Sequence, residues 1–234
     1  MTHAHEHQHG FTGEPGEKFL MERLTQEHWD ERYAGSESLW SGDPNPALVS
    51  EAGGLEPGTA VEIGSGEGAD AIWLAGRGWS VLATDVSAVA LDRAAGHAAA
   101  AGADIVSRIT WERRDMLEWQ PPERGFDLVT AHYVHVPPDI RAALYGRLAA
   151  AVAPGGTLLV VGHHPSDLET SVHRPPFPEL LFTGDDLAAD LGLAGAGGNA
   201  WEIVTNAAVP RQVQDADGLP VTIHDTVFRV RRRA

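Results

Sequence analysis

The chain has 234 residues, 43 % of them hydrophobic, which suits one α/β domain with a sizeable core and a short extension. Its formal net charge of −16 argues against a nucleic-acid partner, because phosphate binding wants clustered Lys and Arg and only the tail Arg229, Arg231, Arg232 and Arg233 is locally basic. The absence of cysteine removes disulfide frameworks, thiolate nucleophiles and thiolate-held zinc or iron–sulfur centres, and the single lysine, Lys18, lies too near the N-terminus for a buried Schiff base. No apolar run approaches the roughly 18–20 residues of a membrane span. The N-terminus lacks the basic flank and apolar core of a secretion signal, so the expectation is a cytoplasmic protein with no membrane partner.

Residues 1–17 are polar and Gly-rich, with His3, His5, His7 and His9 alternating with other residues, and read as a disordered, His-rich tail. From Phe19 to Tyr33 the spacing predicts a helix, with Leu20, Leu24 and Tyr33 near one face. The run Ser41-Gly-Asp-Pro-Asn-Pro46 predicts a turn followed by a short helix starting near Pro46. A regular alternation then begins. Strands are expected at 59–63, 80–84, 109–113, 126–131 and 157–161, with helices through Trp73 and Leu74, over 88–101 behind Ser87 as N-cap, and through Ile140, Leu144 and Leu148. Continuous apolar strands alternating with helices imply a parallel sheet covered on both faces. At the end of the chain, runs at 201–209 and 221–230 leave no room for a helix between them and predict an antiparallel hairpin.

The central motif is Val61-Glu-Ile-Gly-Ser-Gly-Glu-Gly-Ala69, with Gly64, Gly66 and Gly68 where a strand hands over to a helix. Glycines there permit positive φ and close approach of a ligand, at the carboxyl edge where open α/β sheets bind ligands. Asp85 closes the second strand, 21 positions after Gly64, where a carboxylate can accept both hydroxyls of a ribose. Gly64, Gly66 and Ala69 also satisfy the looser dinucleotide fingerprint, so a nicotinamide-dependent oxidoreductase competes for the loop. Three features favour another adenosyl ligand. Glu62 sits uneasily near a pyrophosphate but can hold an ammonium through water, Asp115 suits an adenine amino group, and the terminal hairpin has no place in a dinucleotide domain.

Glu62-Ile-Gly-Ser-Gly-Glu-Gly68, Asp85, Arg114-Asp115-Met116, Phe126-Asp-Leu-Val129 and Pro154-Gly-Gly156 resemble the successive motifs of class I S-adenosylmethionine-dependent methyltransferases over about residues 55–165. The upstream His28-Trp-Asp-Glu-Arg-Tyr33 and Leu39-Trp-Ser-Gly-Asp-Pro-Asn-Pro46 resemble a narrower bacterial group, the thiopurine-, tellurite- and heterocyclic-toxin-methyltransferase-like enzymes. The resemblance implies a Rossmann-like, seven-stranded methyltransferase sheet with a C-terminal antiparallel hairpin and helices on both faces, residues 55–234 forming that domain and 18–54 a lid. It implies S-adenosyl-L-methionine as cofactor, with Gly64, Ser65 and Gly66 at its methionine end, Asp85 and Val86 at the ribose, and Asp115 and Met116 at the adenine. Glu62 and Ala131 complete the expected cofactor set, and Trp29, Tyr33 and Trp40 would fold over it, where aromatic faces attract a sulfonium.

Methyl transfer from a sulfonium needs alignment and exclusion of water, and a general base only if the acceptor holds its proton. The candidate catalytic residues lie in Ala131-His-Tyr-Val-His-Val-Pro-Pro138: His132 and His135 as bases, Tyr133 as an orienting group. His163 and His164 are expected on the same rim. With Asp167 the four histidines also admit a metal reading, but such enzymes typically need none, and no metal is expected. The Pro-rich stretch 163–182, with Phe177, Leu180, Leu181 and Phe182, suits an apolar wall or ordinary packing. The expected partner is a small acceptor bound by a monomer or homodimer, and a non-catalytic cofactor sensor stays open beside the enzyme.

Overall fold

The computed structural model describes residues 21–172, 174, 177–193 and 200–234, so the His-rich tail over 1–17 lies outside the described residues. Helix α1 (Gln26–Ala34) and α2 (Pro46–Ala52) precede β1 (Thr59–Ile63), α3 (Ala69–Gly76), β2 (Ser80–Asp85), α4 (Ala88–Ala101), the single turn α5 (Ala103–Val106) and β3 (Ile109–Arg113). Then come β4 (Phe126–His132), α6 (Pro138–Ala151), β5 (Val152–His163), α7 (Gly184–Asp190), β6 (Trp201–Gln214) and β7 (Pro220–Arg232). The seven strands form one sheet in the order β3-β2-β1-β4-β5-β7-β6. β1 to β5 pair in parallel, β7 is antiparallel to β5, and β6 is antiparallel to β7. Strand order reverses between β1 and β4, and it is at such a switch point that open α/β sheets bind their ligands.

Several boundaries differ from the sequence expectation. The helix expected over 19–33 breaks at 23–25, because Thr25 leaves the helix to accept the His28 backbone N–H and so starts α1. β5 begins at Val152, directly after α6, and the sheet is irregular between Phe126 and Leu128 opposite Pro154-Gly-Gly156. The hairpin strands run longer than their apolar segments, to Gln214 and Arg232, because thirteen cross-strand pairs carry the ladder through polar residues.

Side chains alternate between two cores with the strand period of two. Val61, Ile63, Val129, Leu158 and Val160 face α6 and α7, meeting Leu144, Tyr145, Leu148 and Leu187. Ala60, Leu128, Leu159 and Val161 face α2, α3 and α4, meeting Leu48, Leu74, Trp79 and Ala98. Each fully buried Leu or Val stabilises the sheet by about 1.5–3 kcal/mol through area removed from water. No helix among the described residues is long and apolar enough to cross a membrane.

Leu144→Ala, which empties a site only 1 % exposed under the sheet, is expected to lower the unfolding free energy by about 2–5 kcal/mol in urea titration. The same change at Leu219, 60 % exposed in the hairpin turn, should stay within about 0.5 kcal/mol.

Candidate functional site

The loop after β1 is held open by backbone bonds. Ser65 N–H donates to Thr84 O at 2.9 Å, while Gly66 N–H and Ser87 N–H each donate to one oxygen of Asp85, both at 2.9 Å. Burial raises the Asp85 pKa, and the amides of Ser87, Gly66 and Val86 offset part of the rise. Gly66 has φ +52°, and a Cβ there would stand 3.0 Å from Tyr33 Oη and 3.3 Å from Trp40 Nε1. Gly68, at φ +87°, would drive a Cβ to 2.6 Å from the Trp111 ring. The loop therefore needs glycine both for backbone hand and for space.

The N-terminal segment is fastened onto this loop by a pair that sequence reasoning missed. Glu67, 6 % exposed, accepts N–H bonds from Leu39 and Trp40 and pairs with Arg93 Nη1 at 3.0 Å. Arg93 Nη2 also donates to the carbonyls of Tyr33, at 2.7 Å, and Ser36. Glu67 lay hidden among loop glycines and Arg93 in an Ala-rich helix, with no pattern joining them. Trp40 Nε1 donates to Tyr33 Oη at 2.9 Å, and the two rings lie over Gly66. Trp29 tilts against Tyr33 at 5.9 Å, but the Arg32 guanidinium lies 5.1 Å from Trp29 and 5.8 Å from Trp40, so these indole faces already have a cationic neighbour. Asp30 accepts from Ser87 Oγ at 2.6 Å and from Val89 N–H, which docks α1 on the start of α4.

Beside the loop sits a buried polar group. Glu62 is 4 % exposed and its Oε2 has no hydrogen-bond partner. Burial, then the Asp70 and Asp85 charges, raise its pKa well above the ordinary carboxylate value. His132 leaves the rim of the other histidines and pairs through Nδ1 with Asp70 Oδ2 at 2.6 Å, while Asp70 Oδ1 accepts the Asn45 N–H. His132 Nε2 and Ser65 Oγ are likewise buried and unpartnered. Three orphaned polar atoms, one on a carboxylate, one on an imidazole and one on a hydroxyl, fit the zwitterionic end of a methionine-derived ligand.

At the next strand ends, Arg114 N–H donates to Asp85 O, which brings Asp115 and Met116 beside Asp85 and Val86. Asp115 is exposed and spends Oδ1 on the Leu117 N–H, and Met116 is partly buried against the core. Ala131 is fully buried beside Ile63.

The rim at the ends of β4, β5 and β7 collects Tyr133, His135, His163, Asp225 and Arg211. Tyr133 holds φ +54°, a conformation costly for an aromatic residue. Its hydroxyl donates to Asp225 Oδ2 at 3.0 Å, which also accepts Arg211 Nε at 2.7 Å. His135 Nε2 accepts the His163 backbone N–H at 3.0 Å, and the two rings stack at 4.8 Å. Burial, then His163 and Arg174, push the His135 pKa down to about 3, so the ring is neutral and its acceptor nitrogen is already engaged. His164 accepts the Ser166 N–H and caps the turn at Pro165–Glu169. Asp167 is bound by Arg174 and by the His224 N–H. The four histidines thus occupy three environments, and among the described residues no three His, Asp or Glu groups converge to hold a metal ion. Leu180, Leu181 and Phe182 are buried, Phe182 between His135 and Tyr145, so that part of the Pro-rich stretch serves packing.

Residues 60–156 match a family model described as a methyltransferase domain. The chain is 25 % identical over 180 residues to thiocyanate methyltransferase 1 of Brassica oleracea, covering 75 % of this chain and 77 % of that protein. It is 26 % identical over 163 residues to the 2-heptyl-1-hydroxyquinolin-4(1H)-one methyltransferase of Mycobacteroides abscessus, covering 64 % and 70 %. A structure described for the conversion of a disulfide bond into a thioacetal group during echinomycin biosynthesis superposes with TM-score 0.68 at 24 % identity, over 89 % of this chain and 92 % of that one, which speaks for the fold. The family match falls on the strands from β1 into β5 that build the glycine loop and its rim, and together with these relatives it marks residues 60–156 as a methyltransferase domain of the S-adenosylmethionine-dependent kind.

Proposed function

We propose that this enzyme methylates N, S or O of a small aromatic or heterocyclic acceptor held at the rim of β4, β5 and β7. The observation that carries the reading is adjacency. Val134, between Tyr133 and His135, stands 3.4 Å from where a Cβ on Gly64 would lie, so the aromatic rim abuts the cofactor loop directly. When bound, S-adenosylmethionine supplies an electrophilic methyl group that needs no further activation.

The chain's own residues bind, orient and keep water out. Glu62 Oε2, Ser65 Oγ and His132 Nε2 hold the methionine end beside Gly64 and Gly66. Asp85 and Val86 hold the ribose, each Asp85 oxygen having a lone pair left beyond its amide bond. Asp115 and Met116 flank the adenine, and Ala131 closes the floor. Residues 18–54 act as the lid over the 55–234 domain, with Tyr33 and Trp40 covering the loop and Trp29 behind them. Tyr133 orients the acceptor. His132, committed to Asp70, serves the cofactor end in this reading, and His135 serves by stacking, its acceptor nitrogen being taken. Relatives named for thiocyanate and for a hydroxyquinolone support a small nucleophilic acceptor, in detoxification or secondary-metabolite tailoring. The net charge of −16 supports a small molecule over nucleic acid.

Isolated protein given labelled cofactor should methylate at least one member of a panel of thiol, N-hydroxy heterocycle, phenol and chalcogen acceptors. Tight cofactor binding with no product from any of them would leave a sensor in place of an enzyme. Calorimetry is expected to register loss of cofactor affinity of 100-fold or more in Asp85→Ala and Gly66→Val, the latter because its side chain meets Tyr33 and Trp40; unchanged affinity would refute the assigned crevice.

Glu62 gives a pH test. Its folded pKa lies above the unfolded value, so its ionised form costs stability at neutral pH, and the wild type regains that stability as pH falls through the folded pKa. Glu62→Gln is therefore expected to raise the melting temperature of the ligand-free protein at pH 7, about 2–4 °C per kcal/mol relieved. Its advantage should shrink on acidification, and its cofactor affinity should fall.

A further inference from the structure

Two buried polar atoms on the rim face each other without a hydrogen bond. His163 Nδ1 and Asp225 Oδ1 are 3.9 Å apart, each inaccessible to solvent and each lacking a partner, although Asp225 Oδ2 is fully engaged by Tyr133 and Arg211. The remainder of the imidazole is not sealed, since the His163 side chain is 22 % exposed. One ring edge thus addresses a buried carboxylate and the rest borders the rim. The other histidines are spoken for: His132 by Asp70, His135 by the His163 amide, His164 by Ser166.

We propose that His163, backed by Asp225, is the base that removes the proton of an acidic acceptor, an N-hydroxy heterocycle, phenol or aromatic thiol, at this rim. The proposal rests on the acceptor site given above. Facing Asp225, the neutral ring keeps its hydrogen on Nδ1 and its lone pair on Nε2. The acceptor X–H bond breaks, its proton goes to Nε2, and its electron pair stays on X to form the bond to the methyl carbon. The imidazolium is stabilised by the Asp225 charge 3.9 Å away, and later returns the proton to water. The charged and titratable groups around the pair are Tyr133, His135, Asp167, Arg174, Arg211 and His224. Arg174 and Arg211 lie on the Asp167 and Asp225 carboxylates, which leaves the imidazole as the proton acceptor of the group. Stacking on His135 at 4.8 Å and the nearby Tyr133 ring, also at 4.8 Å, fix the plane of the base, and the strained Tyr133 backbone holds its hydroxyl on Asp225.

Two acceptors separate chemistry from architecture. The hydroxyquinolone named for one relative, 2-heptyl-1-hydroxyquinolin-4(1H)-one, carries an acidic proton, whereas thiocyanate carries none at neutral pH. His163→Gln is expected to lower kcat/KM about 100-fold or more for the hydroxyquinolone at pH 7, and at least tenfold less for thiocyanate, with the deficit closing as pH rises and the acceptor ionises unaided. Asp225→Asn should likewise lower kcat/KM for the hydroxyquinolone more than for thiocyanate, a selectivity that a merely structural loss would not show. Independently of turnover, absorbance titration of the hydroxyquinolone into protein saturated with S-adenosylhomocysteine should report its anion on the wild type and its neutral form on His163→Gln at the same pH. Equal losses for both acceptors, or an unchanged bound form, overturn the base while leaving the acceptor site standing. A wild-type protein that neither binds nor methylates any proton-bearing member of the panel overturns the acceptor site, and the base with it.

Discussion

One buried carboxylate carries the geometry of the crevice. Asp85 takes an amide from Gly66 on one side and from Ser87 on the other, so the loop that leaves β1 and the helix that follows β2 are tied to the same two oxygens. Ser87 in turn N-caps α4 by accepting the Ala90 N–H at its hydroxyl, and that hydroxyl donates a hydrogen bond to Asp30, so α1 is registered against the same point. Gly66 can hold its N–H toward Asp85 only at positive φ, and that conformation is cheap for glycine alone. Tyr33 and Trp40 then settle onto the bare Gly66 backbone, and Glu67 and Arg93 fasten the segment that carries them. Backbone hand, helix start and the placement of α1 and of the segment after it are therefore linked through one interaction.

The same region keeps polar atoms out of water without satisfying them, which a fold selected only for stability would avoid. An unpaired buried polar group costs roughly 1–3 kcal/mol, and more when charged. Glu62 stands between Asp70 and Asp85, so two like charges add to its desolvation, and the Ala71 amide returns only part of that. Such a carboxylate lowers stability until a cation arrives. Asp70, unlike Glu62, has both oxygens hydrogen-bonded, one by the Asn45 amide and the other by the His132 ring. Adjacent carboxylates are thus treated unequally: one is tied into the structure and the other keeps an oxygen without a partner.

Much of this was legible in the chain because parallel strands announce themselves. Val61 to Ile63, Val81 to Thr84 and Leu158 to Val161 are covered on both faces; the first two runs place their strands within a residue, while β5 starts at Val152, five residues ahead of its expected start at 157. Ser87 and Pro46 marked helix starts by local chemistry that tertiary contacts did not override. Thr25 is the counterexample: the Leu20, Leu24 and Tyr33 spacing is helical, yet a hydroxyl taking the His28 amide breaks the helix, and periodicity is blind to it. The Glu67–Arg93 pair was illegible for a related reason. Each residue is charged in a stretch of small residues, where charge normally means solvent, and only the fold brings them together 26 positions apart.

The histidines make the sharpest case. His132 and His135 are three residues apart and look alike in sequence, but β4 ends between them, so one ring turns to Asp70 near the glycine loop and the other to the β5 edge. Tyr133, the residue at the break, pays for that divergence with a left-handed backbone, and its hydroxyl finds Asp225 on a strand 92 positions away. Asp225 is there only because β7 inserts antiparallel beside β5, setting His163 opposite Asp225 in the register. An imidazole and a carboxylate meet at the mouth of the sheet because the last strand runs backwards. The C-terminal hairpin supplies Asp225 and Arg211 to this rim and is more than a cover for the sheet edge.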